Sequence, residues 1–226
     1  MEPPGQRPVI LTDREEAGRR LAERLAKYRD DRPTVVALPR GGVPVALEVA
    51  RALDAPLDIL IVRKIGAPGN PEYGLGAVAE DGTIVMDELR IREAGYSRAD
   101  LDPVVAEELA EIGRRAAIYR AGRAPLPLAD RTVILIDDGV ATGVTVRAAV
   151  SAVRRHHPRR IVLAFGVSPP ETYATLRPLV DDLVVLLVPR MFFAVGEWYR
   201  DFHPVEDAEV LRDLGRAPGR DSHRAR

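Results

Sequence analysis

The chain has 226 residues, of which 46% are hydrophobic, 30% charged and 5% aromatic. That is enough for one α/β domain with a modest accessory piece, and it excludes general disorder. Lys plus Arg number 33 against 34 Asp plus Glu, a formal net charge of -1, so a global basic field for nucleic acid is absent. The absence of cysteine excludes disulfides, thiolate zinc sites and a cysteine nucleophile. No apolar run approaches the ~20 residues of a membrane helix. The polar, Pro-rich stretch Met1 to Pro8 lacks the apolar region of a signal peptide, so a soluble cytosolic protein is expected. Only Lys27 and Lys64 are lysines, which makes each of them unusual in this chain.

After a loose lead-in over 1–11, Thr12 with Glu15 matches a capping box, and Ala17, Leu21, Leu25 and Tyr28 recur at helical spacing. A helix is predicted over 13–29. Thr34 to Leu38 reads as a buried strand, Pro39-Arg40-Gly41-Gly42 as a sharp turn, Val43 to Leu53 as a helix and Leu57 to Val62 as a second strand. That βαβ unit implies a parallel sheet with a right-handed crossover. Residues 65–74 hold three Gly and two Pro and are expected to form a mobile loop outside any sheet. Asp81-Gly82 marks a hairpin between 75–80 and 83–86. Ser97 with Asp100 opens a long helix over 100–120. Strands are expected at 132–136, 161–167 and 183–188, with helices at 143–155, from Pro170, and at 206–214. Residues 190–204 carry five of the eleven aromatics, and the Arg-rich tail 216–226 is expected to be disordered. The alternation predicts an open, mostly parallel twisted sheet with helices on both faces. Ligands in such sheets bind at the carboxyl ends of the strands.

The strongest chemical signal is the run Val133 to Thr145. Apolar residues bury a strand, Asp137 and Asp138 follow where it leaves the sheet, and Gly139, Val140, Ala141, Thr142 and Gly143 lead into a helix through Val144 and Thr145. Backbone N–H groups of Ala141 to Thr145 at a helix start suit a phosphate monoester. Carboxylates repel phosphate and suit sugar hydroxyls or a metal held between them. A ribose 5-phosphate meets both requirements. The dinucleotide fingerprint and the P-loop are both missing.

Ile134 to Thr145 resembles the signature with which the type I phosphoribosyltransferase family binds phosphoribosyl pyrophosphate. The strings Leu38-Pro39-Arg40-Gly41-Gly42, Arg63-Lys64-Ile65-Gly66-Ala67-Pro68-Gly69-Asn70-Pro71-Glu72 and Asp137-Asp138-Gly139-Val140-Ala141-Thr142-Gly143 are similar to those of a poorly characterised subgroup, over roughly residues 12 to 210. The resemblance implies a single domain over 1–215 with a hood segment at about 189–204. It implies that Asp137 and Asp138 hold ribose hydroxyls, that Ala141 to Thr145 cradle the 5′-phosphate, and that Arg40, Gly41 and Gly42 sit beside a diphosphate. It further implies that Arg63 and Lys64 open a loop over 65–74 that closes on the substrate, and that Phe193 stacks on a flat acceptor. Core packing of the Phe residues, or a dimer contact through Trp198 and Tyr199, are the alternative roles for the aromatic segment. Two positions depart from the pattern: Gly139 stands where an apolar residue is usual, and Val144 where many members have Gly. Ala141 occupies the position of an acidic residue in hypoxanthine–guanine members, which argues against 6-oxopurine specificity.

The expected reaction is displacement of pyrophosphate from phosphoribosyl pyrophosphate by a small-molecule acceptor. Mg²⁺ is held mainly through that substrate, with no protein metal ligand assigned. The expected partners are these small molecules and a second copy of the chain, with no membrane and no specific nucleic acid. A non-catalytic phosphoribosyl pyrophosphate sensor is the alternative.

Overall fold

The computed structural model describes residues 10–218. Its frame is a parallel sheet of five strands, β1 (Thr34–Ala37), β2 (Leu57–Ile59), β6 (Thr132–Gly139), β7 (Arg160–Val167) and β8 (Asp182–Leu187), in the order β2-β1-β6-β7-β8. A second, antiparallel sheet holds β3 (Val62–Ala67), β4 (Asn70–Ala79) and β5 (Ile84–Met86). The helices are α1 (Arg14–Leu25), α2 (Gly42–Leu53), α3 (Glu88–Glu93), α4 (Arg98–Arg120), α5 (Val144–Arg155), α6 (Pro170–Leu176) and α7 (Asp207–Gly215). Among the described residues, none of these helices is long and apolar enough to cross a membrane.

The apolar runs read as strands are buried on both faces because the chain alternates between two cores. Val35, Ala37, Ile134, Ile136, Val162 and Ala164 face α1 and α2, while Val36, Val133, Leu135, Leu163 and Phe165 face α5. Successive side chains of a strand point to opposite faces, so a continuous apolar run is what a doubly covered parallel strand requires. The crossover through α2 joins β1 to β2 in register, with Val35 opposite Leu57 and Ala37 opposite Ile59.

Several expectations are corrected. Helix α1 is capped by Asp13, which accepts from the Glu16 N–H, while the Glu16 carboxylate reaches back to the Thr12 N–H at 2.5 Å. The capping box therefore lies one residue later than Thr12 and Glu15, and the helix tightens into a 3₁₀ turn over Ala26–Asp31. The second parallel strand ends at Ile59, not Val62. Leu60 still donates to the Ala37 carbonyl, and the chain then leaves the parallel sheet. Arg63 and Lys64 consequently lie in β3, not at the carboxyl end of a parallel strand.

The segment 65–74 is not a loop outside any sheet. It is the tip and flanks of the β3–β4 hairpin, with Ala67 paired to Asn70 across Pro68-Gly69. Gly69 has φ +75°, the conformation a Pro-Gly turn asks of its Gly. The register shifts around Gly66 form a bulge that accommodates Pro71 opposite. The breakers are thus spent on a turn and a bulge. The hairpin at Asp81-Gly82 and the Ser97–Asp100 capping box form as expected. Helix α3 is an addition to the predicted elements: its six residues are too few for a periodic signal, although Asp87 caps it by accepting from the Arg90 N–H. In the predicted tail, Ala217 packs on the core, and 219–226 lie outside the described residues.

Candidate active site

Two strand ends meet side by side. Strand β6 runs through Asp137 and Asp138 to Gly139, beyond the apolar run that marks it. Next to it, β1 ends at Ala37 and turns through Leu38 to Gly41 into α2. The Leu38 N–H donates to the Ile136 carbonyl at 2.9 Å and locks the two ends together. The turn fits because Gly41 and Gly42 lack side chains. A Cβ on Gly41 would lie 2.1 Å from Asp138 Oδ2, and one on Gly42 would lie 3.0 Å from the Asp137 Cα. Only a bare backbone brings the turn this close to the acidic pair. The Pro39–Arg40 peptide is cis.

The carboxylates differ in their surroundings. Asp137 is half-buried, and its Oδ1 accepts from the Asp138 N–H at 2.9 Å. Asp138 is 8% exposed and its Oδ2 accepts from Arg14 Nε at 2.9 Å. Its carbonyl accepts from the Tyr199 hydroxyl at 2.5 Å. Burial pushes both carboxyls up, Asp137 well above the usual carboxylate range because the Asp138 charge adds to it, while the Arg14 guanidinium opposes the rise on Asp138. Arg14 is a site residue that sequence reasoning missed. It sits in the first turn of a helix 124 residues away from Asp138, and nothing local marks it.

Beyond the pair, the Val140 N–H is used by the Val167 carbonyl, and Gly143 starts α5 with φ +74°. Ala141 and Thr142 are exposed, and Val144 and Thr145 are partly so. The first N–H groups of α5 have no intrahelical acceptor and carry the positive end of the helix dipole. Thr172 fixes the loop from behind by donating to the Ala141 carbonyl at 2.5 Å. The departure at Gly139 has a local reason: a Cβ there would lie 2.5 Å from Val195 Cγ1, so the Val195 side chain occupies that space.

The structure brings Asp137, Asp138, Gly41, Gly42 and the 139–145 loop together. The basic residues point elsewhere. Arg40 lies 3.6 Å from Asp207 and 4.0 Å from Glu206, Arg63 pairs with Glu108 at 2.6 Å, and Lys64 pairs with Glu72 at 3.1 Å within the hairpin. Among the described residues, none of the three forms an ion pair with Asp137 or Asp138. Phe193 is 80% exposed, while Tyr199 is buried and its ring stands 5.1 Å from that of Phe202. Within 189–204, Val195–Trp198 form a 3₁₀ turn.

Rv0571c of Mycobacterium tuberculosis, which carries a provisional phosphoribosyl transferase name, is 44% identical over 208 residues. The alignment covers 92% of this chain and 47% of Rv0571c, so the chain spans about half the length of that relative. The crystal structure of TT1426 from Thermus thermophilus superposes with a TM-score of 0.79 at 43% identity, covering 93% of this chain and all of TT1426. A Neisseria gonorrhoeae protein crystallised with ppGpp shares the fold alone, at 13% identity and a TM-score of 0.52, with 92% of this chain and 95% of that one covered. The family model of the phosphoribosyl transferase domain matches residues 10–186. The chain belongs to the phosphoribosyl transferase family, a family of glycosyltransferase-type enzymes.

Proposed function

We propose that the chain binds phosphoribosyl pyrophosphate and transfers its phosphoribosyl group to an acceptor, a ring nitrogen of a small molecule, with release of pyrophosphate. The observation that carries this reading is the close approach of the Gly41–Gly42 turn to Asp137 and Asp138, beside the open N-terminus of α5. The 5′-phosphate lies on the N–H groups of Ala141 to Thr145, with the Thr142 and Thr145 hydroxyls donating to it. The ribose hydroxyls meet the acidic pair, and the diphosphate meets the 40–42 turn.

The bond from C1 to the diphosphate oxygen breaks and its electron pair leaves with pyrophosphate. A bond forms from the acceptor nitrogen to C1, and the nitrogen's proton passes to solvent. Positive charge develops on the sugar, and the negative field of the acidic pair stabilises it. Asp137 Oδ2 accepts no hydrogen bond among the described residues, so this hard oxygen would be the protein's contribution to holding a Mg²⁺ brought with the substrate. When bound, Mg²⁺ neutralises charge on the leaving group. Arg40 and Lys64 stabilise that leaving group once they exchange Asp207 and Glu72 for the diphosphate. The hairpin tip at 68–73 closes over the substrate and excludes water. Phe193 offers an exposed ring for a flat acceptor.

A second reading, a phosphoribosyl pyrophosphate sensor without transfer, is favoured by the engagement of Arg40 and Lys64 in ion pairs away from the acidic pair. A pyrophosphate-release assay over a panel of nitrogen acceptors with Mg²⁺ separates the two. Transfer predicts release with at least one acceptor. Tight binding with no release across the panel supports the sensor.

A further inference from the structure

On the face of the parallel sheet that α5 covers, beside the edge strand β2, a cavity of about 380 Å³ opens under α4. That volume falls within the ~300–1,000 Å³ of small-molecule sites. The cavity shares no residue with the candidate active site. Helix α5 begins at the 139–145 loop and reaches the cavity only at its far end, through Val153 and His156. The walls are largely apolar: Leu109 and Ala116 from one stripe of α4, Val153 from α5, and Leu126 from the segment before β6. Gly113 lies exposed at the mouth, and a Cβ there would meet nothing within 4 Å, so no described residue covers the entrance at that point.

The polar end of the cavity is unbalanced in charge. Three carboxylates line it, Asp58, Glu80 and Asp81, against one guanidinium, Arg120. Asp58 is well served: Oδ1 accepts from Arg120 at 2.7 Å and from the Ile59 N–H at 2.8 Å, and Oδ2 accepts from the Leu126 N–H at 2.6 Å. Glu80 is not. Its Oε1 accepts from Arg120, but among the described residues its Oε2 takes only a long bond of 3.3 Å from the Ile61 N–H. Burial pushes the Glu80 carboxyl up even with Arg120 beside it. The neighbouring cations leave this surplus in place. Arg155 stands 3.8 Å from Asp81, and Arg63 is paired with Glu108. We propose that the cavity is a second ligand site, for a small organic cation whose apolar body lies on the α4 and α5 side chains and whose ammonium group donates to Glu80 Oε2. The apolar body gains by leaving water, and the ammonium supplies the donor and the positive charge that the Arg120 cluster lacks. A neutral molecule of the same shape forgoes the second gain, and an anion meets the surplus carboxylate. This site does not depend on what the acidic pair binds.

The test uses three probes with one apolar body: 3-phenylpropylammonium, 3-phenylpropanol and 3-phenylpropionate. Amide chemical shifts of the full chain are followed through titration with each. The ammonium probe is expected to bind saturably, to shift amides within 109–116 and 152–156, and to bind about tenfold or more tighter than the alcohol, with the propionate weakest. Glu80→Gln should bring the ammonium probe down to about the affinity of the alcohol and leave the alcohol unchanged. Ala116→Leu fills the cavity with a residue that suits a helix and should abolish binding of the ammonium probe. Gly113→Leu, which crowds the mouth, serves the same purpose where Ala116→Leu does not fold. Equal affinity for ammonium and alcohol would overturn the proposal, because the cavity would then be an apolar hole without charge preference. Absence of saturable ammonium binding, or binding undiminished in a folded filling variant, would overturn it as well.

Discussion

Asp137 is where the proposed function and stability pull apart. Its folded carboxyl is raised well above the value of about 3.9 it has in the unfolded chain. The charged form is therefore penalised by folding. The penalty is absent below the unfolded value and grows as pH rises through it toward the folded one. Asp137→Asn should melt at a higher temperature than the unmodified protein at pH 7, and the gain should vanish near pH 3.5. A variant that melts lower at pH 7 would mean that the carboxylate is stabilising where it sits. Gly41 is constrained in the other direction. Gly41→Ala puts a methyl 2.1 Å from Asp138 Oδ2, so the turn or the carboxylate must move. A cost of roughly 1–3 kcal/mol is expected in urea unfolding, as for other overpacked sites. In the 139–145 loop, the proposed function predicts that Thr142→Ala and Thr145→Ala each weaken phosphoribosyl pyrophosphate binding by ~1–3 kcal/mol, the range for charge-assisted hydrogen bonds.

Among the elements, the β3–β4 hairpin carries the sharpest expectation. Residues Asn70 to Tyr73 are exposed, whereas Ile65 and Leu75 to Ala79 are buried. Amide exchange should be fast at 68–73 and slow at 75–79 in the free protein, and phosphoribosyl pyrophosphate should slow the tip. Unchanged tip exchange at saturating ligand would argue against closure. This hairpin also shows what the sequence makes legible and what it does not. The parallel strands are readable because apolar runs such as Val133 to Ile136 have one use in a doubly covered sheet. The acidic pair and the loop after it are readable because strand, carboxylates and helix start are consecutive. The hairpin escapes a reading that counts Gly and Pro as breakers, although Ala67-Pro68-Gly69-Asn70 is itself a turn signature. Arg14 is invisible for a different reason. Its contact with Asp138 is made by tertiary packing between α1 and the end of β6, and no spacing in the chain encodes it.

Across the molecule, the two sheets are joined by a buried ion cluster. Arg120 at the end of α4 donates to Asp58 Oδ1 at 2.7 Å, to the Ile59 carbonyl at 2.7 Å and to Glu80, which follows β4. Arg120→Met leaves the buried Asp58 and the partly buried Glu80 without their cation and should cost about 3–5 kcal/mol in urea unfolding, the range for breaking a buried pair from one side. The same architecture sets Asp137, Asp138 and the start of α5 at the carboxyl ends of the central strands, where the account places phosphoribosyl pyrophosphate. Calorimetric titration of that compound with Mg²⁺, alongside ribose 5-phosphate and pyrophosphate, tests this placement most directly. The account predicts saturable binding of all three, tightest for phosphoribosyl pyrophosphate, with the Thr142→Ala, Thr145→Ala double variant losing affinity for ribose 5-phosphate but not for pyrophosphate. Absence of binding by phosphoribosyl pyrophosphate, or equal affinity in the double variant, would contradict it.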